Sequence, residues 1–236
     1  GIDYQDAKVF HMLSSGNVDG VFQFESGGMR SVIMQLKPEH LEDLIAVISL
    51  YRPGPMQSIP RYIECRHNPE KVTYKHPLLE PILNVTYGCI VYQEQVMQIF
   101  RSLAGYSLGR ADIMRRAMAK KKAKVMEEEK QVFIHGLLAP DGSVEVDGCI
   151  RRGVDEKTAL EIFGEMESFA AYAFNKSHAA AYAVVAYQTA WLKCHYPREY
   201  LASLMTSVLS DNNKLSAYIA ECLRLGIRVL PRHVNE

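Results

Sequence analysis

The stretch Asn175–Leu192 reads NKSHAAAYAVVAYQTAWL, and it decides the class of fold. From Ala179 onward it is apolar on almost every side and rich in alanine, which is typical of a helix buried in the middle of a domain. The uncharged part is too short to span a bilayer, which needs about 20 apolar residues. The stretch therefore predicts a central helix in a water-soluble, mainly α-helical protein.

The residues at the start of this helix carry a possible anion-binding function. Ser177 is expected to cap the helix, and free backbone N–H groups at such an end favour phosphate. Lys176 adds a positive charge, His178 can donate a hydrogen bond, and Tyr182 follows one turn later. The alternative is an ordinary capped helix with a solvent-exposed lysine and a hydrogen-bonded histidine.

The rest of the chain predicts a multi-helical architecture. Asp155 and Asp211 are expected to cap two further amphipathic helices, and Gly105 is expected to end another. Residues 140–142 (Pro-Asp-Gly) predict the turn of a small surface hairpin. A few short strands are also expected, at residues 21–24, 89–92 and 227–230. The predicted fold is thus mainly α, with a few short strands and one hairpin.

Composition excludes several classes of protein. The 236 residues carry 27 basic and 27 acidic side chains, so any signal for nucleic acid must be local. Five cysteines are scattered singly, without a C-x-x-C pair, which argues against a disulfide framework or a zinc site and favours a reducing cytoplasm. No P-loop, dinucleotide-binding, nucleophile-elbow or D-x-D metal motif occurs, so the chain contains no self-sufficient catalytic centre.

A strongly basic helix is predicted from about residue 110 to 133. Between Arg110 and Lys124 there are seven basic residues and a single acid, Asp112, for a local charge of +6. Arg116, Lys120 and Lys124 fall at helical spacing and form one stripe. Guanidinium groups suit phosphate oxygens, so the helix favours a polyanion partner. The alternative is a solvated surface helix balanced by the acidic run that follows.

A rigid arginine is predicted on a turn at Tyr51-Arg52-Pro53-Gly54-Pro55. Prolines on either side of a glycine restrict the backbone, which makes Arg52 a candidate phosphate contact. Its alternative is a charge that favours a helix C-terminus. By contrast, the segment Tyr92–Gln95 begins a helix and is interpreted as mainly structural.

Five segments, in order along the chain, resemble one known family. They cover nearly the whole sequence and are similar to the fingers region of the bacterial replicative DNA polymerase III alpha subunit, a C-family DNA polymerase. The segments are Gly20–Ser26, Tyr51–Pro55, Thr86–Gly88 with Val91–Met97, Arg115–Met118 and Phe174–Tyr182.

The resemblance implies a template-directed DNA polymerase whose partners are dNTP, primer–template DNA, the rest of the alpha subunit and other replisome subunits, without a membrane. It implies two Mg²⁺ ions held by palm aspartates outside this chain, so the fragment alone is expected to be inactive. By position it implies that Arg115 and Arg116 contact the triphosphate. The implied pocket wall is Lys176, His178 and Tyr182, with Arg52 nearby.

The resemblance also implies that the lysines after the arginine pair face either the triphosphate or the DNA backbone. These are Lys120, Lys121, Lys122 and Lys124. It implies a fingers domain over residues 1–205, including a basic segment at about 106–176, and the start of a connector at 206–236. Two other classes remain open: a non-enzymatic DNA-binding helical module and a partner-docking scaffold.

Overall fold

The computed structural model describes residues 1–120 and 123–230. This part of the chain is mainly α-helical, as the sequence predicts. In chain order its α-helices are α1 (Ala7–Ser14), α2 (Gly27–Leu36), α3 (Leu41–Leu50), α4 (Ile59–His67), α5 (Glu80–Leu83), α6 (Gln93–Ala104), α7 (Leu108–Ala119), α8 (Ala123–His135), α9 (Glu156–Ala170), α10 (Lys176–His195), α11 (Pro197–Ser207) and α12 (Asn212–Arg224). Strands β1 (Leu137–Leu138) and β2 (Val144–Val146) pair antiparallel.

The chain divides into two compact units. One consists of Ser49–Ala179, and the other combines Gly1–Ile48 with Ala180–Glu236. The boundaries fall within α3 and α10, so each of these helices contributes residues to both units.

The unit Ser49–Ala179 has an aromatic core formed by α6, α8 and α9. Phe100 meets Phe133 edge-on with 5.4 Å between ring centroids, and Phe133 lies 5.6 Å from Phe163. All three side chains are fully buried. Such pairs add to the stability that burial itself provides, because aromatic rings favour edge-to-face contact. The core therefore anchors α6 firmly, and the start of α6 is where the candidate site lies.

A buried glutamine fixes the start of α6. The Gln95 Oε1 atom accepts hydrogen bonds from the backbone N–H groups of Val91 and Tyr92, each at 2.9 Å. The Gln95 Nε2 atom donates to Thr86 Oγ1 at 2.8 Å and to the Ile82 carbonyl at 3.2 Å. Because an unsatisfied buried amide is costly, this network holds the incoming backbone in one position.

The strand expected at residues 89–92 is reduced to a single bridge. Tyr92 pairs with Phe174 in parallel, and the Gln93 N–H donates to the Phe174 carbonyl at 3.0 Å. The prediction of a strand here was therefore wrong, but the contact joins the start of α6 to the segment that precedes α10. We call residues 92–94 together with 172–176 the junction.

In the other unit, small residues on α10 allow close packing. Ala183, Ala186 and Ala190 are buried, and the buried Tyr187 ring lies 5.3 Å from the rings of both Tyr4 and Phe10. The Tyr187 hydroxyl accepts from the Asp6 N–H and donates to the Asp3 carbonyl. The sequence correctly predicts a helix here.

The expectation that α10 is buried on every side was wrong. Val185 is 43% exposed and Leu192 is 38% exposed, so α10 buries its alanine face and leaves an apolar edge uncovered. The buried face of α10 is the one with small side chains, because neighbouring segments can pack most closely against that face.

A buried ion pair joins α10 to α12. Lys193 Nζ lies 2.7 Å from Glu221 Oε1, and the two side chains are 1% and 3% exposed. Lys193 also donates to the carbonyl of Asp19 at 2.7 Å and to Asn17 Oδ1 at 3.1 Å. A charged pair survives in such a place only when its hydrogen bonds are satisfied, as they are here.

Other predictions from local patterns had mixed outcomes. The hairpin is confirmed: Leu137 pairs with Val146, and the Asp141 carboxylate accepts from the Ser143 N–H at 2.9 Å. Residues 21–24 form a turn instead of a strand, with Gln23 at a φ of 69°. Residues 227–230 have no strand partner in the part of the chain that the structure describes.

Candidate phosphate-binding site

The basic segment forms two helices, so the prediction of one helix over residues 110–133 was wrong. Helix α7 ends at Ala119, where the Lys120 N–H still donates to the Arg116 carbonyl at 3.2 Å, and α8 begins at Ala123. Arg116, Lys120 and Lys124 therefore do not share one continuous helical face. Lys120 and Lys124 are exposed, whereas Lys121 and Lys122 lie outside the described residues.

Arg115 and Arg116 share one carboxylate. Asp112 Oδ1 accepts from Arg115 Nη2 at 2.8 Å and from Arg115 Nε at 3.2 Å, while Asp112 Oδ2 lies 2.7 Å from Arg116 Nη2. The hydrogen bond from Arg115, reinforced by the charges of both arginines, lowers the pKa of Asp112. The carboxylate is thus ionised at neutral pH, and it holds the two guanidinium groups beside one another.

Arg115 is also fixed by the start of α6. Its Nη1 atom donates to Gln93 Oε1 at 3.0 Å, across 22 positions of sequence. Consequently the Arg115 side chain is only 19% exposed, compared with 67% for Arg116. The pair therefore consists of one anchored guanidinium at the junction and one that extends into solvent.

Helix α10 begins at Lys176, and the residue that caps it is Asn175. Asn175 Oδ1 accepts from the His178 N–H at 2.9 Å, whereas Ser177 lies within the first turn and is exposed. The expectation that Ser177 is the cap was therefore wrong by two residues. Asparagine and serine are both strong caps, so propensity alone does not choose between them.

A carboxylate already lies at this helix start. Glu94 accepts from the Lys176 N–H at 3.2 Å and from Asn175 Nδ2 at 3.0 Å. The Lys176 side chain turns toward α6, with Nζ 5.3 Å from the centroid of the Tyr92 ring. The N-terminal end of α10 thus stabilises a negative charge, as the helix dipole favours. The anion bound there is the Glu94 carboxylate of the same chain.

Arg52 also contacts the junction. Its guanidinium lies 4.4 Å from the centroid of the Phe174 ring and donates through Nη2 to the Tyr172 carbonyl. Burial lowers the pKa of Arg52. Gly54 is needed nearby, since it has a φ of 99° and a Cβ there would come within 2.7 Å of the Tyr172 ring. The attraction between the guanidinium group and the ring therefore helps to fix the position of the Arg52 side chain.

The remaining predicted residues separate into two groups. The exposed ring of His178 lies 5.3 Å from the Phe174 ring, so His178 is also at the junction. Tyr182 belongs to the other unit, where its ring stacks on Phe22 at 5.5 Å with an interplanar angle of 25°. The structure therefore brings four of the predicted residues to the junction directly and a fifth, Arg116, through Asp112. The four are Arg52, Arg115, Lys176 and His178.

Sequence reasoning missed the residues that assemble these cations. Gln93 and Glu94, interpreted as mainly structural, hold Arg115 and the start of α10. Their partners lie 22 and 82 positions away, so no local pattern signals the contacts. Asp112 was different, since its spacing of three and four residues from the arginines is visible in the sequence.

Comparison with known proteins places the chain in a family. Residues 1–141 match the model of the bacterial DNA polymerase III alpha subunit finger domain. The chain belongs to this family. The resemblance drawn from the sequence is thus confirmed, and Arg52, Arg115 and Arg116 fall within the part of the finger domain that matches.

The chain also has relatives that match it over its whole length. It is 47% identical over 235 residues to the DNA polymerase III subunit alpha of Staphylococcus aureus strain Mu50 and 46% identical to that of Staphylococcus epidermidis. Each alignment covers 100% of this chain but 21% of the relative. The chain therefore spans about a fifth of these proteins, and Lys176, His178 and Tyr182 lie within the aligned stretch.

Within residues 1–120 and 123–230, no three His, Cys, Asp or Glu side chains converge as metal ligands. In the same residues, no helix has the length and apolar character that crossing a membrane requires.

Proposed function

We propose that this finger domain binds the phosphates of an incoming dNTP within a DNA-directed DNA polymerase. The observation that carries the proposal is the sharing of one carboxylate by Arg115 and Arg116. Two guanidinium groups that jointly hold one anion are suited to hold another, because their planar forks match phosphate oxygens as they match carboxylates.

The other cations at the junction support the same proposal. Arg52 lies over the Phe174 ring and Lys176 over the Tyr92 ring, so both cations contact the junction. We propose that Lys176, Arg52 and His178 complete the wall of the nucleotide site. Tyr182 is proposed to face the nucleotide as well, which rests on the family resemblance alone.

The reaction requires parts that lie outside this chain. We propose that palm aspartates elsewhere in the alpha subunit hold the Mg²⁺ ions, which when bound supply charge neutralisation at the reacting phosphates. The finger domain contributes cations that stabilise the charge developing on the triphosphate and on the departing pyrophosphate. Alone, it is proposed to bind nucleotide weakly and to catalyse nothing.

The partners and boundaries are proposals of the same kind. We propose that primer–template DNA, the rest of the alpha subunit and other replisome subunits surround this domain in the bacterial cytoplasm. Residues 1–205 are proposed as the fingers and 206–236 as the start of a connector. The exposed Lys120 and Lys124, together with Lys121 and Lys122, are proposed to contact phosphate, either of the triphosphate or of the DNA backbone.

The first experiment is a titration of pyrophosphate or dNTP against the 236-residue chain. We expect the double variant Arg115→Ala, Arg116→Ala to lose most of the binding. Arg151→Ala is the matched control, because Arg151 is an exposed arginine of the same unit and is not one of the junction residues. Equal binding by the wild type and the double variant would remove the assigned role.

The second experiment uses the full-length alpha subunit that contains this sequence. Losing Arg115 is expected to lower kcat/KM for dNTP incorporation by about 10²–10³-fold, the effect of removing one well-placed electrostatic donor. Arg115→Lys should rescue little of this loss, because lysine cannot reproduce the guanidinium fork. DNA binding that persists in the double variant while dNTP use is unchanged would favour a DNA-binding module instead.

A further inference from the structure

Asp112 occupies the part of the arginine pair that phosphate would use. Within α7 it lies three and four residues before the arginines, so its carboxylate reaches both. Oδ1 accepts from the Nε and Nη2 atoms of Arg115, and Oδ2 pairs with Nη2 of Arg116. Both carboxylate oxygens are therefore engaged with guanidinium groups.

At Arg115, the Asp112 carboxylate accepts from both nitrogens along one edge of the guanidinium group. Nε and Nη2 form the edge of a guanidinium that binds a carboxylate or phosphate through two donors. Asp112 Oδ1 takes both of these donors, and Gln93 takes a hydrogen bond from the third nitrogen, Nη1. A phosphate oxygen can bind this edge only after the Asp112 carboxylate moves away.

The two arginines differ in how readily they accept a new anion. Arg116 is 67% exposed and meets Asp112 through one nitrogen, whereas Arg115 is 19% exposed and held on two sides. A ligand can therefore meet Arg116 first and then compete for Arg115. A ligand that bridges both arginines offsets the loss of both contacts to Asp112.

We propose that Asp112 is an internal competitor for phosphate, which holds the arginine pair until a triphosphate or pyrophosphate displaces it. This proposal rests on the proposed function of the pair. It assigns Asp112 the task of weakening anion binding, so that only a ligand with several phosphate oxygens binds both guanidinium groups. The opposite role is that of a positioning residue, whose removal disorders the arginines and weakens binding.

The two roles predict opposite effects of neutralising the side chain. Asp112→Asn keeps the size of the side chain and removes its charge. We expect pyrophosphate to bind this variant about three- to tenfold more tightly, since two partly exposed ion pairs no longer compete. Asp112→Ala serves as a second variant, because alanine favours the helix and also removes the competitor.

The matched control is Glu127→Gln, which changes the charge of the same unit by the same amount. Glu127 is 67% exposed on α8 and pairs with Lys130 at 2.9 Å. A purely long-range effect of net charge would tighten binding equally in both variants. We expect a much smaller change for Glu127→Gln, because salt screens exposed charges that are not in contact.

A spectroscopic measurement follows the exchange directly. In the wild type, the NMR signal of the Arg115 Nε–H is expected to shift when pyrophosphate is added, as its acceptor changes from carboxylate to phosphate. In Asp112→Asn, the free protein is expected to show faster exchange of this proton with water. A residue that only stabilises α7 would produce neither change.

The outcomes separate the inference from the function on which it rests. Tighter binding by both Asp112 variants, with the Arg115 signal moving in the wild type, supports the inference. Unchanged or weaker binding by these variants overturns it, while the proposed function stands if Arg115→Ala, Arg116→Ala loses binding. No loss in that double variant, or no binding by the wild type, overturns both.

Discussion

The carboxylate of Glu94 accepts the backbone N–H of Lys176, with 3.2 Å between Oε2 and N, although 82 positions of sequence separate them. Glu94 lies in the first turn of α6, and Lys176 is the first residue of α10. One carboxylate therefore lies at the N-terminal ends of two helices, where a negative charge is favourable. This contact ties the lysine of the candidate site to the helix that also holds Arg115.

Replacing Glu94 with glutamine tests the strength of this tie. Glu94→Gln retains an oxygen acceptor but loses the charge, so we expect a loss of about 0.5–2 kcal/mol in the free energy of unfolding. Urea denaturation measures the loss. Glu128→Gln, an exposed position on α8, is the control and should change the free energy by less than about 0.5 kcal/mol. Equal effects of the two substitutions would contradict the assigned contact.

Loss of the Gln95 hydrogen bonds should lower the free energy of unfolding more than most substitutions of polar residues. Gln95→Ala leaves the N–H groups of Val91 and Tyr92 and the Thr86 hydroxyl without their Gln95 partner. We expect a cost of about 2–4 kcal/mol, because several buried groups lose hydrogen bonds together. Gln98→Ala, one turn later on the exposed face of α6, provides the matched control. A Gln95 variant as stable as the Gln98 variant would show that the network contributes little.

The buried pair of Lys193 and Glu221 should show strong coupling. Lys193→Met alone removes the lysine from a carboxylate that is 3% exposed, and we expect a loss of about 3 kcal/mol. The double variant Lys193→Met, Glu221→Leu should lose less than the sum of the single variants, since it buries no uncompensated charge. Thermal and urea unfolding of all four proteins in the cycle measure the coupling free energy. Additive losses would argue against a direct interaction.

Low pH should reduce the stability of the unit that contains α1, because it protonates Asp6. The hydrogen bond with His195, at 2.6 Å from Nε2 to Oδ2, lowers the pKa of Asp6, and the Lys8 N–H adds to this effect. A carboxyl group whose pKa is lower in the folded state stabilises the fold above its unfolded pKa of about 3.9. That contribution is lost as the pH falls through the folded pKa.

Asp6→Asn should therefore unfold at a lower temperature than the wild type at pH 5. The difference in Tm should shrink as the pH falls from about 4 toward 2, because protonation removes from the wild type what the substitution has already removed. Thermal unfolding followed by circular dichroism across this range makes the comparison. A difference that stays constant down to the lowest pH would show that the Asp6 charge has no part in it.

Local sequence signals predicted several helix ends and the hairpin because the responsible contacts are local. Asp155 and Asp211 cap their helices through the N–H groups of residues three positions later, at 3.0 and 3.1 Å. Gly105 ends α6 with a φ of 75°. In each case the deciding atoms lie within one turn of one another, so residue type and spacing are sufficient.

Local signals failed where packing or a distant partner decided the structure. The side chains of Val21 and Phe24 are fully buried although their backbone forms a turn. The apolar run at residues 21–24 therefore did not indicate a strand. The basic run keeps helical spacing past Lys120, yet α7 ends at Ala119. Spacing specifies which residues can share a helical face, but it does not specify where the helix must end.

The sequence alone determined the mainly helical class, the turn of the hairpin and the presence of positively charged side chains at positions 52, 115, 116 and 176. These follow from backbone preferences, side-chain periodicity and charge, all of which act over a few residues. Only the tertiary structure decided that Gln93 holds Arg115 and that Glu94 holds the start of α10. The physical reason is that a hydrogen bond depends on where the folded chain places its donor and acceptor, and segments far apart in sequence meet only in the folded structure.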